Sequence, residues 1–225
     1  MKQLIINKED ILIFDLDDTI YDETKFVSEG FLAVSLYLGN KLSVSKIKIY
    51  KELKAILKKK GRGRGFDFYC KKKKIYSKKL VLELIDIYRF SRKKISVTSE
   101  YLRLLTKLKK KYKLYIVTDG NWKVQSHKIN TLRIKKFFKK IFFTDYYGER
   151  ACKPSLLCFK KIKKLENCNW ENIVYFGDNP NKDFKNLNLV GAKTFFVSKW
   201  SKKKMSNYKN YNTKKNIKNL NEIKK

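Results

Sequence analysis

Carboxylates are scarce in this chain, with 21 Asp and Glu against 55 Lys and Arg in 225 residues. Several of them nonetheless crowd into two short stretches. Asp15, Asp17 and Asp18 sit at the end of the apolar run ILIFDL, and Asp178 and Asp183 follow a second run, IVYF, within GDNPNKD. Adjacent carboxylates raise one another's pKa and repel unless a cation lies between them. Oxygen ligands with no His or Cys nearby suit a hard ion, and Mg2+ is the expected one. A turn or helix cap made by Asp17, Asp18 and Thr19 would account for the first cluster. It would not account for a second cluster at the end of a second buried strand.

The elements that must position these acids follow from periodicity. Residues 11–16 read as a buried parallel strand, and further short apolar runs at 114–118 (LYIVT), 141–144 (IFFT), 173–176 (IVYF) and 194–197 (TFFV) read the same way. Helices are expected between them over 99–111, opened by Ser99 as N-cap, over 121–132, from Pro154 to about Glu166 with the proline in the first turn, and near 181–187. From Thr24 to Arg92 apolar residues recur only at helical spacing, as in Phe31, Val34 and Leu38 or Leu80, Leu84 and Ile87. The fold class is therefore α/β: a doubly wound, Rossmann-like parallel sheet of five strands with a helical cap subdomain inserted after the first. Residues 1–20 and 95–200 are assigned to the core and 21–94 to the helical insertion. Residues 201–225, rich in Lys and Asn, are assigned to a loosely held tail.

Composition excludes several classes. An apolar content of 43% rules out a disordered chain. No apolar run approaches the roughly 18 residues that span a bilayer, and MKQLIINKED does not read as a secretory signal. Cys70, Cys152, Cys158 and Cys168 form no CxxC pair and His127 is the sole histidine, which argues against structural zinc and for reduced thiols in the cytoplasm. The net charge of +34 invites a nucleic-acid reading, but only seven of the 55 basic residues are Arg and the lysines run from end to end. Specific nucleic-acid surfaces lean on bidentate Arg contacts, so a solvated basic surface is the expectation, and a basic nucleic-acid-binding protein is the alternative that the charge keeps open.

Asp15-Leu16-Asp17-Asp18-Thr19, Thr118-Asp119-Gly120, Lys153-Pro154, and Gly177-Asp178 with Asp183 resemble, in order and in placement after strands, the four motifs of the haloacid dehalogenase superfamily of phosphohydrolases. The resemblance covers roughly residues 10–198, and the helical block matches a cap inserted after the first motif. It implies a Mg2+-dependent phosphatase acting on a small phosphorylated metabolite through an aspartyl-phosphate.

Phosphoryl transfer needs an in-line nucleophile, a proton donor for the leaving oxygen and positive charge around the equatorial oxygens. Asp15 is assigned the attack on phosphorus and Asp17 the proton to the leaving group and then the activation of water. Mg2+ would be held by Asp15, the main-chain carbonyl of Asp17 and Asp178, with Asp183 supporting it. Thr118 and the amides of Asp119 and Gly120 would bind the phosphoryl group, and Lys153 would neutralise its charge. Arg62 and Arg64, in the Gly61–Gly65 turn, are candidate contacts for the body of an acidic substrate. Trp122 and Tyr21 flank the motifs and are expected to line the pocket or pack beside it. His127 is placed on a helix away from the chemistry, and Cys152 is read as a buried filler. A phosphosugar mutase would share this core and differ in the cap. A dehalogenase would need neither Asp17 nor the metal.

Overall fold

Short apolar runs become fully buried strands only when helices cover both faces of the sheet. That is the arrangement in the computed structural model, which describes residues 6–61, 63–203 and 215–223. The chain divides into two compact units, Met1–Glu23 with Ser96–Lys225, and Thr24–Ile95.

The first unit holds a parallel sheet. Its strands are β1 (Ile11–Phe14), β2 (Lys113–Thr118), β3 (Lys140–Phe143), β4 (Ile173–Gly177), β5 (Lys193–Val197) and β6 (Lys215–Ile217), in the order β3-β2-β1-β4-β5-β6. β1 is central, and its four residues are all buried. Side chains alternate across the sheet with a period of two. Ile11, Ile13, Tyr115, Val117 and Tyr175 face α7 (Leu157–Glu166), which contributes Cys158, Phe159 and Ile162 to one core. On alternate positions Phe14 stacks on Phe176 at 4.9 Å, and Phe176 on Phe195 at 5.3 Å, an aromatic ladder across three neighbouring strands. The chain runs from β1 outwards through β2 to β3 on one side, then crosses from β3 to β4 on the other side of β1 and continues to β5. The carboxyl end of β1 is thus the switch point where such sheets take ligands.

The second unit is helical: α1 (Glu23–Leu42), α2 (Lys46–Lys60), α3 (Gly65–Lys72) and α4 (Lys78–Phe90). Its core gathers Phe31, Val34, Leu38, Leu53, Tyr69 and Leu84. Ser77 caps α4 by accepting from the Leu80 amide at 3.1 Å.

Three expectations need correction. α5 (Ser99–Lys109) is capped by Thr98, whose hydroxyl accepts from the Tyr101 amide, so Ser99 is its first residue rather than its cap. α7 starts at Leu157, with Ser155 accepting from its amide, while Pro154 precedes it through a cis bond to Lys153. The sheet has six strands rather than five, because the C-terminal stretch is not loose throughout its length. Lys215–Ile217 pairs with β5, Ile217, Leu220 and Ile223 are buried, and the Leu220 amide donates to the Tyr101 hydroxyl at 3.0 Å. Three apolar residues spaced by three are enough to dock a segment that bulk composition marks as polar. All four cysteines are free thiols.

Candidate active site

Sheet register brings three strand ends level. Phe14 pairs with Ile116 on β2 and with Phe176 on β4, so the chain leaves β1 at Asp15 level with Gly177 and with Val117, one residue before Thr118. The Asp15 amide donates to the Phe176 carbonyl at 2.8 Å, extending the β1–β4 ladder by one residue. The Asp15 carboxylate accepts from the Leu16 amide at 2.8 Å and lies 2.9 Å from Lys153 Nζ.

Beyond Asp15 the chain turns sharply, with Asp18 at a φ of 53°, and neighbouring carboxylates are sent to different tasks. Asp18 accepts from the Glu23 amide at 2.9 Å and so caps the start of α1, the role that turn chemistry expects. Burial pushes its carboxyl up to about 6. Asp17 points instead at α6 (Trp122–Leu132). Lys128 Nζ lies 2.8 Å from each of its oxygens, Tyr21 donates at 2.7 Å and Gln125 Nε2 at 3.0 Å. Burial alone would raise the Asp17 carboxyl, but the Lys128 charge and these hydrogen bonds hold it below the usual range.

Lys153 is 6% exposed and bridges two carboxylates, with Asp183 Oδ1 at 2.8 Å as well as Asp15. It also donates to the Tyr175 hydroxyl at 2.9 Å. Burial disfavours an ammonium here, yet the two carboxylates outweigh it and raise its pKa well above the ordinary value. The Lys153 loop is itself tied down, because Asp119 Oδ1 accepts from the Lys153 amide at 3.0 Å and from the Thr144 hydroxyl at 2.8 Å. The Asp119 side chain is therefore engaged in holding the site, which leaves its amide, and that of Gly120 at a φ of 101°, as the groups able to meet a phosphoryl oxygen. Thr118 is fully buried, and its oxygen accepts from Gln125 Nε2 at 2.6 Å.

Asp183 Oδ2 accepts from the Asn179 amide at 2.8 Å, and its approach to β4 depends on Gly177, where any Cβ would overlap the Asp183 carboxylate. Asp15, Asp178 and Asp183 each offer a carboxylate oxygen, all within 4.8 Å of one another. Burial pushes Asp15 up to about 7, with Lys153 opposing and Asp183 reinforcing the rise. It pushes Asp178 up to about 8, with Asp15 and Asp183 adding to the effect. Three crowded carboxylates with one lysine among them carry an excess of negative charge that a divalent cation would offset, and an all-oxygen donor set fits Mg2+.

The expected site residues Asp15, Asp17, Thr118, Asp119, Gly120, Lys153, Asp178 and Asp183 thus all belong to one strand-end cluster. The Asp17 side chain is not part of the acidic trio. Arg64 belongs to the helical unit, where it precedes α3, and Arg62 lies outside the described residues. Tyr21 is buried against Asp17, whereas Trp122 is 39% exposed and packs edge-on against Tyr146. Cys152 takes a contact from the Thr144 hydroxyl at 3.7 Å. Sequence reasoning missed Gln125, Lys128 and Tyr175. The first two were detectable: they share the buried stripe of α6 with Val124, Ile129 and Leu132, and a polar residue at an inward helical position needs a partner.

Comparison with known proteins gives the family and the fold. A family profile described as haloacid dehalogenase-like hydrolase matches residues 12–197. The chain is similar to a glyceraldehyde 3-phosphate phosphatase of Methanocaldococcus jannaschii, 30% identical over 202 residues, 86% of this chain and 87% of the relative. A protein of the same name from Pyrococcus abyssi is 29% identical over 192 residues, 82% and 79% of the two chains. Among solved structures, the magnesium-bound HAD hydrolase YfnB of Bacillus subtilis aligns with a TM-score of 0.66 at 19% identity, covering 95% of this chain and 96% of that one. A HAD phosphatase from Thermococcus onnurineus aligns with a TM-score of 0.62 at 24% identity, covering 95% of each.

Proposed function

This chain belongs to the haloacid dehalogenase-like hydrolases, and on that footing we propose that it is a magnesium-dependent phosphatase of small phosphorylated metabolites that works through an aspartyl-phosphate on Asp15. The observation that carries the reading is the buried bridge of Lys153 between Asp15 and Asp183, beside Asp178, at the carboxyl end of the central strand.

Asp15, the Asp17 carbonyl, Asp178 and Asp183 would hold the ion, which supplies positive charge against the phosphoryl oxygens. The substrate phosphate sits against Thr118, the Asp119 and Gly120 amides and Lys153. A carboxylate oxygen of Asp15 bonds to phosphorus as the ester P–O bond breaks, and the leaving oxygen takes a proton from Asp17. Water then attacks the same phosphorus and gives its proton to Asp17. The Asp15–phosphorus bond breaks, releasing inorganic phosphate and restoring the carboxylate. Lys153 stays charged throughout, as its two carboxylate partners require, so it stabilises charge on the moving group and does not donate a proton.

The relatives named as glyceraldehyde 3-phosphate phosphatases make a triose phosphate the first substrate to try. The helical unit, residues 24–95, is the proposed cap that selects the substrate, with Arg62 and Arg64 as its candidate contacts. Phosphate release from glyceraldehyde 3-phosphate and a panel of sugar and nucleoside phosphates, with Mg2+ and with excess chelator, tests the reading. Turnover that survives chelation, or that persists in Asp15→Asn, would overturn it.

A further inference from the structure

Asp17 must do two opposite jobs in the proposed cycle, and the contacts around it suit one of them. Four hydrogen-bond donations converge on its two oxygens: two from Lys128 Nζ, at 2.8 Å each, one from Tyr21 at 2.7 Å and one from Gln125 at 3.0 Å. A group that only accepts satisfies this arrangement, and both oxygens are oriented by it. The donors are themselves fixed. Lys128 is 4% exposed, Gln125 2% and Tyr21 1%, so none can swing away without opening the core. Lys128 also reaches Glu23 at 3.4 Å, which places one buried ammonium between two carboxylates.

Gln125 adds a second constraint. Its Nε2 carries two hydrogens, one directed at Asp17 and the other at the Thr118 oxygen at 2.6 Å. The Thr118 hydroxyl that accepts from Gln125 itself donates to the Asp119 carbonyl at 3.5 Å, so one glutamine ties the Asp17 carboxylate to the Thr118–Asp119 turn. Gln125 and Lys128 are three residues apart on one face of α6, which makes the pair a single platform.

We propose that Lys128 is a positioning residue for the second half-reaction: with Gln125 and Tyr21 it holds the Asp17 carboxylate in the one orientation that takes the proton from the attacking water, in register with Thr118. In that step the water oxygen bonds to phosphorus, its proton goes to Asp17 and the bond from phosphorus to Asp15 breaks. The proposal rests on the reading of Asp15 as nucleophile and Asp17 as proton carrier given above.

The test is Lys128→Met in the full chain, a near-isosteric change that keeps the packing and removes the donors, assayed with Mg2+ and p-nitrophenyl phosphate. Since kcat/KM reports only events up to loss of the first product, it is expected to stay within about threefold of wild type while kcat falls by about tenfold or more. KM falls with kcat, and stopped flow shows a burst of p-nitrophenolate approaching one per active site as the phosphoenzyme accumulates. Lys128→Arg, which restores charge and donors, is expected to return kcat to within about threefold. Parallel loss of kcat and kcat/KM without a burst, the pattern of a merely structural residue, would overturn the proposal, as would an unchanged kcat. Should the methionine variant not fold, Tyr21→Phe removes one donor from the same carboxylate and is held to the same pattern, with a kcat loss of about threefold. Asp17→Asn separates the two levels of the argument. Full turnover in that variant would refute the role of Asp17 itself, whereas lost turnover there with no burst in the Lys128 variant refutes only the positioning role.

Discussion

Gly177 and Asp183 occupy one space that admits a single side chain: a Cβ on Gly177 would overlap the Asp183 carboxylate. Asp183 in turn holds Lys153 at 2.8 Å and the Asn179 amide at 2.8 Å. A glycine at the end of β4 therefore controls a carboxylate six residues later and, through it, the lysine that faces Asp15.

Gly177→Ala is accordingly expected to displace Asp183 and cost about 100-fold in kcat/KM, the scale of an ångström-sized misplacement at a reacting centre. The half-saturating Mg2+ concentration is expected to rise as well, which a metal titration of activity reads directly. An alanine variant with wild-type metal response would show that Asp183 is dispensable to the ion.

Lys153→Met removes the one cation between Asp15 and Asp183. Activity is expected to drop by about a thousandfold or more, because charge on the moving phosphoryl group loses its buried partner. Without the ammonium the remaining carboxylates repel, so added Mg2+ is expected to raise the melting temperature of the variant more than that of wild type. Differential scanning calorimetry with and without the metal makes the comparison.

Glu166 provides a pH test away from the reaction. Burial would raise its carboxyl, but hydrogen bonds from Lys113, Lys139 and Tyr115 bring it down to about 2. A depressed carboxyl contributes stability that is complete above its unfolded value near 4.5 and lost as pH falls through the folded one. Glu166→Gln should melt a few degrees below wild type at pH 7, and the gap should close between about pH 4.5 and 2. A gap independent of pH would assign the effect to packing instead.

The docked C-terminal segment gives a fourth expectation. Leu220 is 1% exposed against the first unit, so Leu220→Ala is expected to lower the unfolding free energy by about 3 kcal/mol. Urea denaturation followed by fluorescence measures it, and a loss under about 1 kcal/mol would mean that the segment contributes little to stability.

Much of this architecture was legible because each core strand announces itself as an apolar run and the acids lie just past two of them. What escaped did so for identifiable reasons. Lys128 is one of 55 basic residues, and composition cannot distinguish a buried cation from a solvated one. Its inward position becomes visible only when the stripe of α6 is drawn out. The division of labour between Asp17 and Asp18 depends on one left-handed residue, Asp18 at a φ of 53°, and neither spacing nor residue type announces that turn. β6 is three residues long, too short for periodicity to register. The Asp119 side chain, to which the sequence assigned no task, is engaged by Thr144 and the Lys153 amide, a tertiary arrangement that no local pattern encodes.

The central place of β1 has a consequence for how the molecule is made. Its two neighbours, β2 and β4, begin at Lys113 and Ile173, about a hundred and about a hundred and sixty residues later in the chain, so its pairings are among the least local that a sheet of this size can have. During synthesis the entire helical unit emerges before β1 has met a partner, and the strand that leads into Asp15 waits as an unpaired apolar segment until β2 and then β4 arrive. The folding rate of the sheet unit is therefore set by long-range closure rather than by helix formation, and Asp15 reaches its final surroundings only once Gly177 and Asp178 have been delivered alongside it.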